Sequence, residues 1–144
     1  MSGTLPYLAG LFQTLVRYSN KDIELSLDGQ GCEMRVNSVL VCNGRYFGGG
    51  MFIAPGAMID DGLFQVVTLG DLSKLELVAN VPRAYRGTHL THPKVDSFQA
   101  REVEVVARQR MLLQADGELI GEAPARFALK GRALRVWVPE REGA

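Results

Sequence analysis

The sequence predicts a mostly β fold of the α+β class, an antiparallel β-sandwich carrying two short helices. Three observations lead there. Apolar and polar residues alternate at a period of two through several short runs. Turn dipeptides such as Asp28-Gly29, Asn43-Gly44, Asp116-Gly117 and Lys130-Gly131 separate those runs at hairpin-like spacing. Only two stretches carry the helical period.

The first of these opens the chain. Leu5, Leu8, Ala9, Phe12, Leu15 and Val16 form one apolar stripe. Gly3 or Thr4 caps it, Pro6 is tolerated in its first turn, and Ser19-Asn20 ends it. From Asp22 the period becomes two. Ile23, Leu25 and Leu27 alternate with Glu24, Ser26 and Asp28, a half-buried strand that Asp28-Gly29 turns back. The returning strand carries Cys32, Met34 and Val36 on one face, and the dense run 39–42 is expected to be covered on both. After Asn43-Gly44 come Gly48, Gly49 and Gly50, the short run Met51-Phe52-Ile53, turns at 54–57 and 60–62, and a strand over 63–69.

The second helix is expected over 71–86. Ser73 and Glu76 have the spacing of a capping box, and Leu75, Val78 and Ala79 form the stripe. Pro82 is expected to kink or shorten it and Gly87 to terminate it. Strands follow at 103–107, 111–114, 126–129 and 133–138, the last with Leu134, Val136 and Val138 on one face; the polar end, 139–144, is expected to fray.

Composition sets the frame for function. In 144 residues, 47% are hydrophobic and 22% charged, enough for one real core and too apolar for global disorder. Sixteen basic residues balance sixteen acidic ones, so a nucleic-acid partner is not expected. Cys32 and Cys42 form neither a disulfide framework nor a Cys-x-x-Cys metal site, although one bridge between them stays open. The N-terminus lacks a basic region before an apolar core, and no run reaches membrane-spanning length, so a reduced, cytoplasmic chain is expected.

Several motifs can carry chemistry. Gly48–Gly50 has the flexibility of a phosphate loop, but matches neither the Walker pattern nor G-x-G-x-x-G; the alternative is a bend where another group packs close. Asp116-Gly117-Glu118 places two carboxylates at a turn, suited to general-base and metal-binding work or to an ordinary solvated hairpin. Asp60-Asp61-Gly62 shares that ambiguity, and its hard oxygens suit Mg²⁺ or Ca²⁺. His89 and His92 are three apart, with no third ligand nearby, and read better as loop or helix-end residues. Arg83, Arg86 and Lys94 form a modest basic patch or a solvated face.

The order of the pieces is more specific than any one of them. The series runs Asn43-Gly44-Arg45-Tyr46-Phe47-Gly48-Gly49-Gly50-Met51, Ala54-Pro55-Gly56-Ala57, Asp60-Asp61-Gly62-Leu63, Tyr85-Arg86-Gly87-Thr88-His89 and Asp116-Gly117-Glu118. From about Leu5 to Pro139 it resembles the C-terminal domain of the diacylglycerol kinase-like lipid kinases, the group that includes sphingosine kinases and the bacterial diacylglycerol and phosphatidylglycerol kinases. The resemblance implies a two-domain enzyme. An N-terminal α/β domain carries a Gly-Gly-Asp-Gly-Thr nucleotide loop, the C-terminal domain is a β-sandwich, and the active site lies between them. The 144 residues contain no Gly-Gly-Asp-Gly-Thr. They therefore read as one C-terminal domain, itself incomplete, whose partner is the absent nucleotide-binding domain.

By the same resemblance, Glu118 is the proton acceptor for the lipid hydroxyl, and Asp116 is its partner or the base itself. Asp61 supplies a carboxylate to a structural Mg²⁺, with backbone carbonyls from Met58 and Leu63. ATP is the co-substrate, and Gly48–Gly50 correspond to a glycine-rich strand that holds the site region open. The expected function is the lipid-acceptor half of an ATP-dependent lipid kinase, inactive alone, acting on diacylglycerol or a related lipid from the cytoplasmic side of a membrane to which it binds peripherally. The alternative is a non-catalytic sandwich that binds lipid or a protein partner. Self-association into a homodimer through exposed sheet edges also stays open.

Overall fold

A computed structural model describes residues 19–137. The expected first helix and the polar end lie outside them. The described elements are β1 (Lys21–Leu27), β2 (Gln30–Val36), β3 (Ser38–Cys42), β4 (Phe64–Leu69), α1 (Lys74–Arg86), a 3₁₀ turn (Thr88–Thr91), β5 (Val95–Ala100), β6 (Glu102–Ala107), β7 (Leu112–Ala115), β8 (Glu118–Glu122) and β9 (Ala125–Ala128).

Asp28 and Gly29 have φ of 50° and 84°, the doubly positive turn that an Asp-Gly pair tolerates. This fixes the register of β1 on β2, with Leu27 opposite Gln30 and Lys21 opposite Val36. β6 pairs along the other edge of β1, and β9 along β6, giving the antiparallel order β2-β1-β6-β9. A second antiparallel sheet has the order β3-β4-β5.

The alternation read from the sequence becomes the core between the two sheets. Ile23, Leu25, Val36, Val103 and Val105 come from the first sheet, Val66 and Ala100 from the second, and all are buried in one cluster. Adjacent strand residues face opposite sides. Thus Val66 joins this core, while Val67 joins Leu72, Leu77 and Val95 on the far face, beneath α1. Both valines are fully buried, so β4 is covered on both faces. The order of layers is sheet, sheet, then helix and loop. A third cluster pins the loop to the outer layer: Met51, Ile53, Ala54 and Ala57 pack with Ala84 of α1, against Leu40 and Cys42. The run 39–42 is accordingly half-buried on both faces, as expected.

Helix α1 starts where the capping box predicts. The Ser73 hydroxyl accepts from the Glu76 amide at 3.3 Å, and Glu76 Oε2 accepts from the Ser73 amide at 2.7 Å. It ends at Gly87, with φ of 73°. Pro82 lies inside the helix, which runs on to Arg86, so of its two expected effects the shortening does not occur. Two expectations about this region and the chain end are corrected. The stripe Leu75, Val78 and Ala79 faces out: Leu75 is 83% exposed, and the helix seats on the sheet through Leu77 and Ala84 instead. Periodicity identifies an apolar face without saying which side the sheet occupies. Finally, 133–137 forms no strand, and Leu134, Val136 and Trp137 are exposed, because no described strand offers them a ladder partner. The structure also adds two strands that the sequence reading passes over. β5 has only Val95 and Ala100 fully buried, with Asp, Ser and Gln between them, and β8 contains an interior glycine.

The capping box has a pH signature. The backbone and side chain of Ser73, with the Lys94 ammonium, hold the Glu76 carboxyl down from its ordinary 4.5 to about 2. The folded state therefore favours ionised Glu76. Its contribution is complete above about pH 4.5 and disappears as pH falls through about 2. Melting temperatures of wild type and Glu76→Gln are expected to differ near neutrality and to converge across that window. A constant gap would show that Glu76 does not titrate with folding.

Candidate active site

Asp116 and Gly117 form the turn between β7 and β8, with φ of 48° and 91°. Asp tolerates the left-handed region because its short side chain can bond locally, and glycine has no Cβ to clash. Glu118 is the first residue of β8, opposite Ala115, so the two carboxylates stand at the tip of a hairpin, separated by one residue. Both are exposed. Gln114 Nε2 donates to the Gly117 carbonyl at 3.4 Å across the turn. A register shift between Leu113 and Gln114 marks a bulge, which adds twist to the arm.

The arm is held at its base. Met111 is buried in the inter-sheet core, the Ala123 amide donates to the Met111 carbonyl at 2.8 Å, and Arg110 pairs with Glu122 at 2.8 Å. Beyond that base, Leu112, Leu119 and Ile120 are exposed along the two strands. The tip is thus an acidic end on a largely uncovered apolar arm.

Asp61 lies in a separate turn just before β4. Its Oδ1 accepts from the Leu63 amide at 2.9 Å, while Gly62 takes φ of 73°. The carboxylate is half-buried, and Met58 is exposed on the approaching chain. Among the described residues, no group of three or more His, Cys, Asp or Glu side chains gathers as a metal cluster. Any cation at this turn would rest on at most the Asp60 and Asp61 carboxylates together with backbone oxygens.

The three consecutive glycines are a turn rather than a strand. Phe47 and Met51 exchange two backbone hydrogen bonds of 2.9 Å, and Gly48, Gly49 and Gly50 between them have φ of 44°, 73° and 95°. A Cβ on Gly49 or Gly50 would meet nothing within 4 Å. Backbone conformation, not close packing, is what requires them. The loop is tied down on both sides: Arg45 Nε donates to the Ala57 carbonyl at 3.0 Å, and the Tyr46 and Phe52 rings stack with centroids 5.0 Å apart.

The histidines do not converge on a metal. His89 is buried, and its Nε2 donates to the Ile53 carbonyl at 2.9 Å, joining the 3₁₀ turn to the loop; burial pushes its pKa down. His92 Nδ1 accepts from the Lys94 amide, and its Nε2 is 4.0 Å from Glu76. Lys94 leaves the basic patch to pair with Glu76 at 2.9 Å. Cys32 and Cys42 are free thiols, and burial pushes Cys42 up to about 11.

Residues 1–138 match the model of the YegS C-terminal NAD kinase beta sandwich-like domain. The chain belongs to this family. Membership agrees with the two-sheet architecture and with the resemblance to the C-terminal domain of the diacylglycerol kinase-like lipid kinases. The YegS-type domain is 29% identical over 134 residues to a diacylglycerol kinase of Staphylococcus carnosus, covering 93% of this chain and 44% of that protein. It is 26% identical over 142 residues to a diacylglycerol kinase of Bacillus subtilis, covering 99% and 47%. Its fold is shared with the crystal structure of a diacylglycerol kinase from Bacillus anthracis, with a TM-score of 0.63 at 20% identity over 86% of this chain and 42% of the other. The chain therefore spans less than half the length of these relatives, and it is a C-terminal domain of a kinase-like protein. Among the described residues, no helix is long and apolar enough to cross a membrane.

Proposed function

We propose that this domain supplies the acceptor-lipid side and the catalytic carboxylates of an ATP-dependent lipid kinase, with diacylglycerol or a related lipid alcohol as acceptor. The observation that carries the reading is the Asp116-Gly117-Glu118 tip. It presents two exposed carboxylates at the end of an arm, in a family whose relatives are named diacylglycerol kinases. In the reaction, the lipid hydroxyl oxygen forms a bond to the γ-phosphorus. The bond from that phosphorus to the β,γ-bridging oxygen breaks, and ADP departs. The hydroxyl proton passes to Glu118, with Asp116 beside it orienting the hydroxyl or taking the proton itself. The Gly-Gly-Asp-Gly-Thr nucleotide loop is not among these 144 residues, and on this reading the 144 residues by themselves are expected to transfer no phosphate.

The Asp61 turn fits a structural Mg²⁺ in donor chemistry. Mg²⁺ takes hard oxygens, commonly one or two carboxylates with retained water, and here Asp61 with the Met58 and Leu63 carbonyls would supply them. The bond from the Leu63 amide holds one Asp61 oxygen and thereby orients the other. Such an ion would neutralise the turn and brace the loop. In the full-length protein, Mg²⁺ is expected to raise the melting temperature. Asp61→Asn, which keeps the turn acceptor but removes the charge, is expected to abolish that dependence. An equal rise in both proteins would remove the metal from this turn.

The decisive assay is transfer of radiolabelled phosphate from ATP to a panel of lipid alcohols by the full-length protein. Labelling of diacylglycerol or a close relative is the expected result. No labelled lipid from any member would overturn the reading.

A further inference from the structure

Helix α1 turns an apolar face away from the protein. At ~100° per residue, Leu75, Val78, Ala79, Pro82 and Tyr85 fall within an arc of about 120°, outside the arc that Leu77 and Ala84 bury. All five are exposed, Leu75 most of the large ones. Arg86 lies within this arc, with Arg83 on one flank and Lys74 on the other. The helix carries one acid, Glu76, which is already engaged by Ser73 and Lys94. Neither Arg83 nor Arg86 pairs with an acidic side chain among the described residues.

A helix with a leucine, a valine and a tyrosine on one side and cations at its borders has the chemistry of an interfacial element. The apolar side chains enter the acyl boundary, the tyrosine sits at headgroup depth, and the arginines meet lipid phosphate. We propose that the outer face of α1 docks the protein on an anionic lipid bilayer. Charge complementarity favours this occupant over the remainder of the parent protein or a second copy. An apolar protein partner would have to cover Arg86, which lies within the arc at the C-terminal end of the helix, or bring an acid to meet it, whereas an anionic bilayer supplies the counter-charge across the whole face. The docking deepens the kinase reading, since it would bring the enzyme to its lipid, but its test does not require catalysis.

The test is sedimentation of the full-length protein with vesicles of phosphatidylcholine alone or mixed with phosphatidylglycerol. The protein is expected to sediment with the mixed vesicles and far less with phosphatidylcholine. Leu75→Gln with Val78→Gln should weaken that binding about tenfold or more, from the apolar area withdrawn. Arg83→Gln and Arg86→Gln should weaken it about fivefold each at low salt. All four positions are exposed, so melting temperatures without lipid should not move. Wild type that ignores anionic vesicles, or variants that bind as wild type does, would overturn the docking. So would a Leu75→Gln/Val78→Gln protein that melts several degrees lower or dissociates from a dimer, since the face would then be covered by protein. Sedimentation as expected without lipid phosphorylation would count against the kinase reading alone. Full activity with indifferent sedimentation would count against the docking alone.

Discussion

Full-length protein carrying Glu118→Gln is expected to phosphorylate lipid at least ~10²–10⁴-fold more slowly than wild type, the usual worth of a positioned general base. ATP binding should stay near normal. The substitution is a clean one. Glu118 is exposed at the first position of β8, and Gln has its shape, so stability should change by no more than about 0.5 kcal/mol. Asp116→Asn is its companion. Asn accepts the left-handed conformation that position 116 adopts, with φ of 48°, so the hairpin survives while the charge is lost. If both variants turn over at the wild-type rate, the hairpin tip is not the catalytic end of this domain. If one falls far more than the other, that residue is the base.

Gly87→Ala is expected to destabilise the fold by about 2–4 kcal/mol, from two costs that act together. The position has φ of 73°, which a Cβ disfavours, and that Cβ would lie 2.7 Å from Phe52 Cδ1 and 3.0 Å from Pro55 Cγ. Neither neighbour gives easily, since Phe52 is stacked on Tyr46 and Pro55 is a ring in a tight turn. Urea denaturation should show the midpoint falling with the slope unchanged. Gly49→Ala provides the contrast. It shares the positive φ but meets nothing within 4 Å, so its cost should be the conformational part alone, about 1–2 kcal/mol. Equal losses at the two sites would mean that the contact with the loop contributes nothing.

Local chemistry made much of this fold legible. Asp28-Gly29 set a hairpin with its register, Ser73 and Glu76 started a helix, Gly87 ended it, and the alternation in β1 and β6 marked residues that the structure buries. The errors arise where a decision belongs to tertiary packing. The spacing of Leu75, Val78 and Ala79 fits a core stripe equally well, and only the placement of Leu77 and Ala84 on the sheet reverses it. Residues 133–137 alternate like a strand, but a strand also needs a neighbour with free backbone groups. β5 went unseen because Asp96, Ser97 and Gln99 dilute its pattern, while its pairing to β4 supplies what propensity does not. The carboxylate pair at 116 and 118 was visible as a motif. Its setting on an arm that pairs with no third strand among the described residues was not, because nothing local to Asp116-Gly117 says what covers the strands behind it.

That arm contrasts with β4, and the contrast fixes how backbone amides should exchange with heavy water. β4 is laddered on both edges and covered on both faces, so its amides should exchange only through global unfolding. The β7–β8 amides are paired only to each other among the described residues and lie close to solvent, so they should exchange by local opening, at a rate insensitive to mild destabilisation of the rest. The acidic tip can then reorient about its Met111 base without loosening the sandwich. Under the proposed function, positioning for the reaction and persistence of the fold would fall to parts of the chain that open independently.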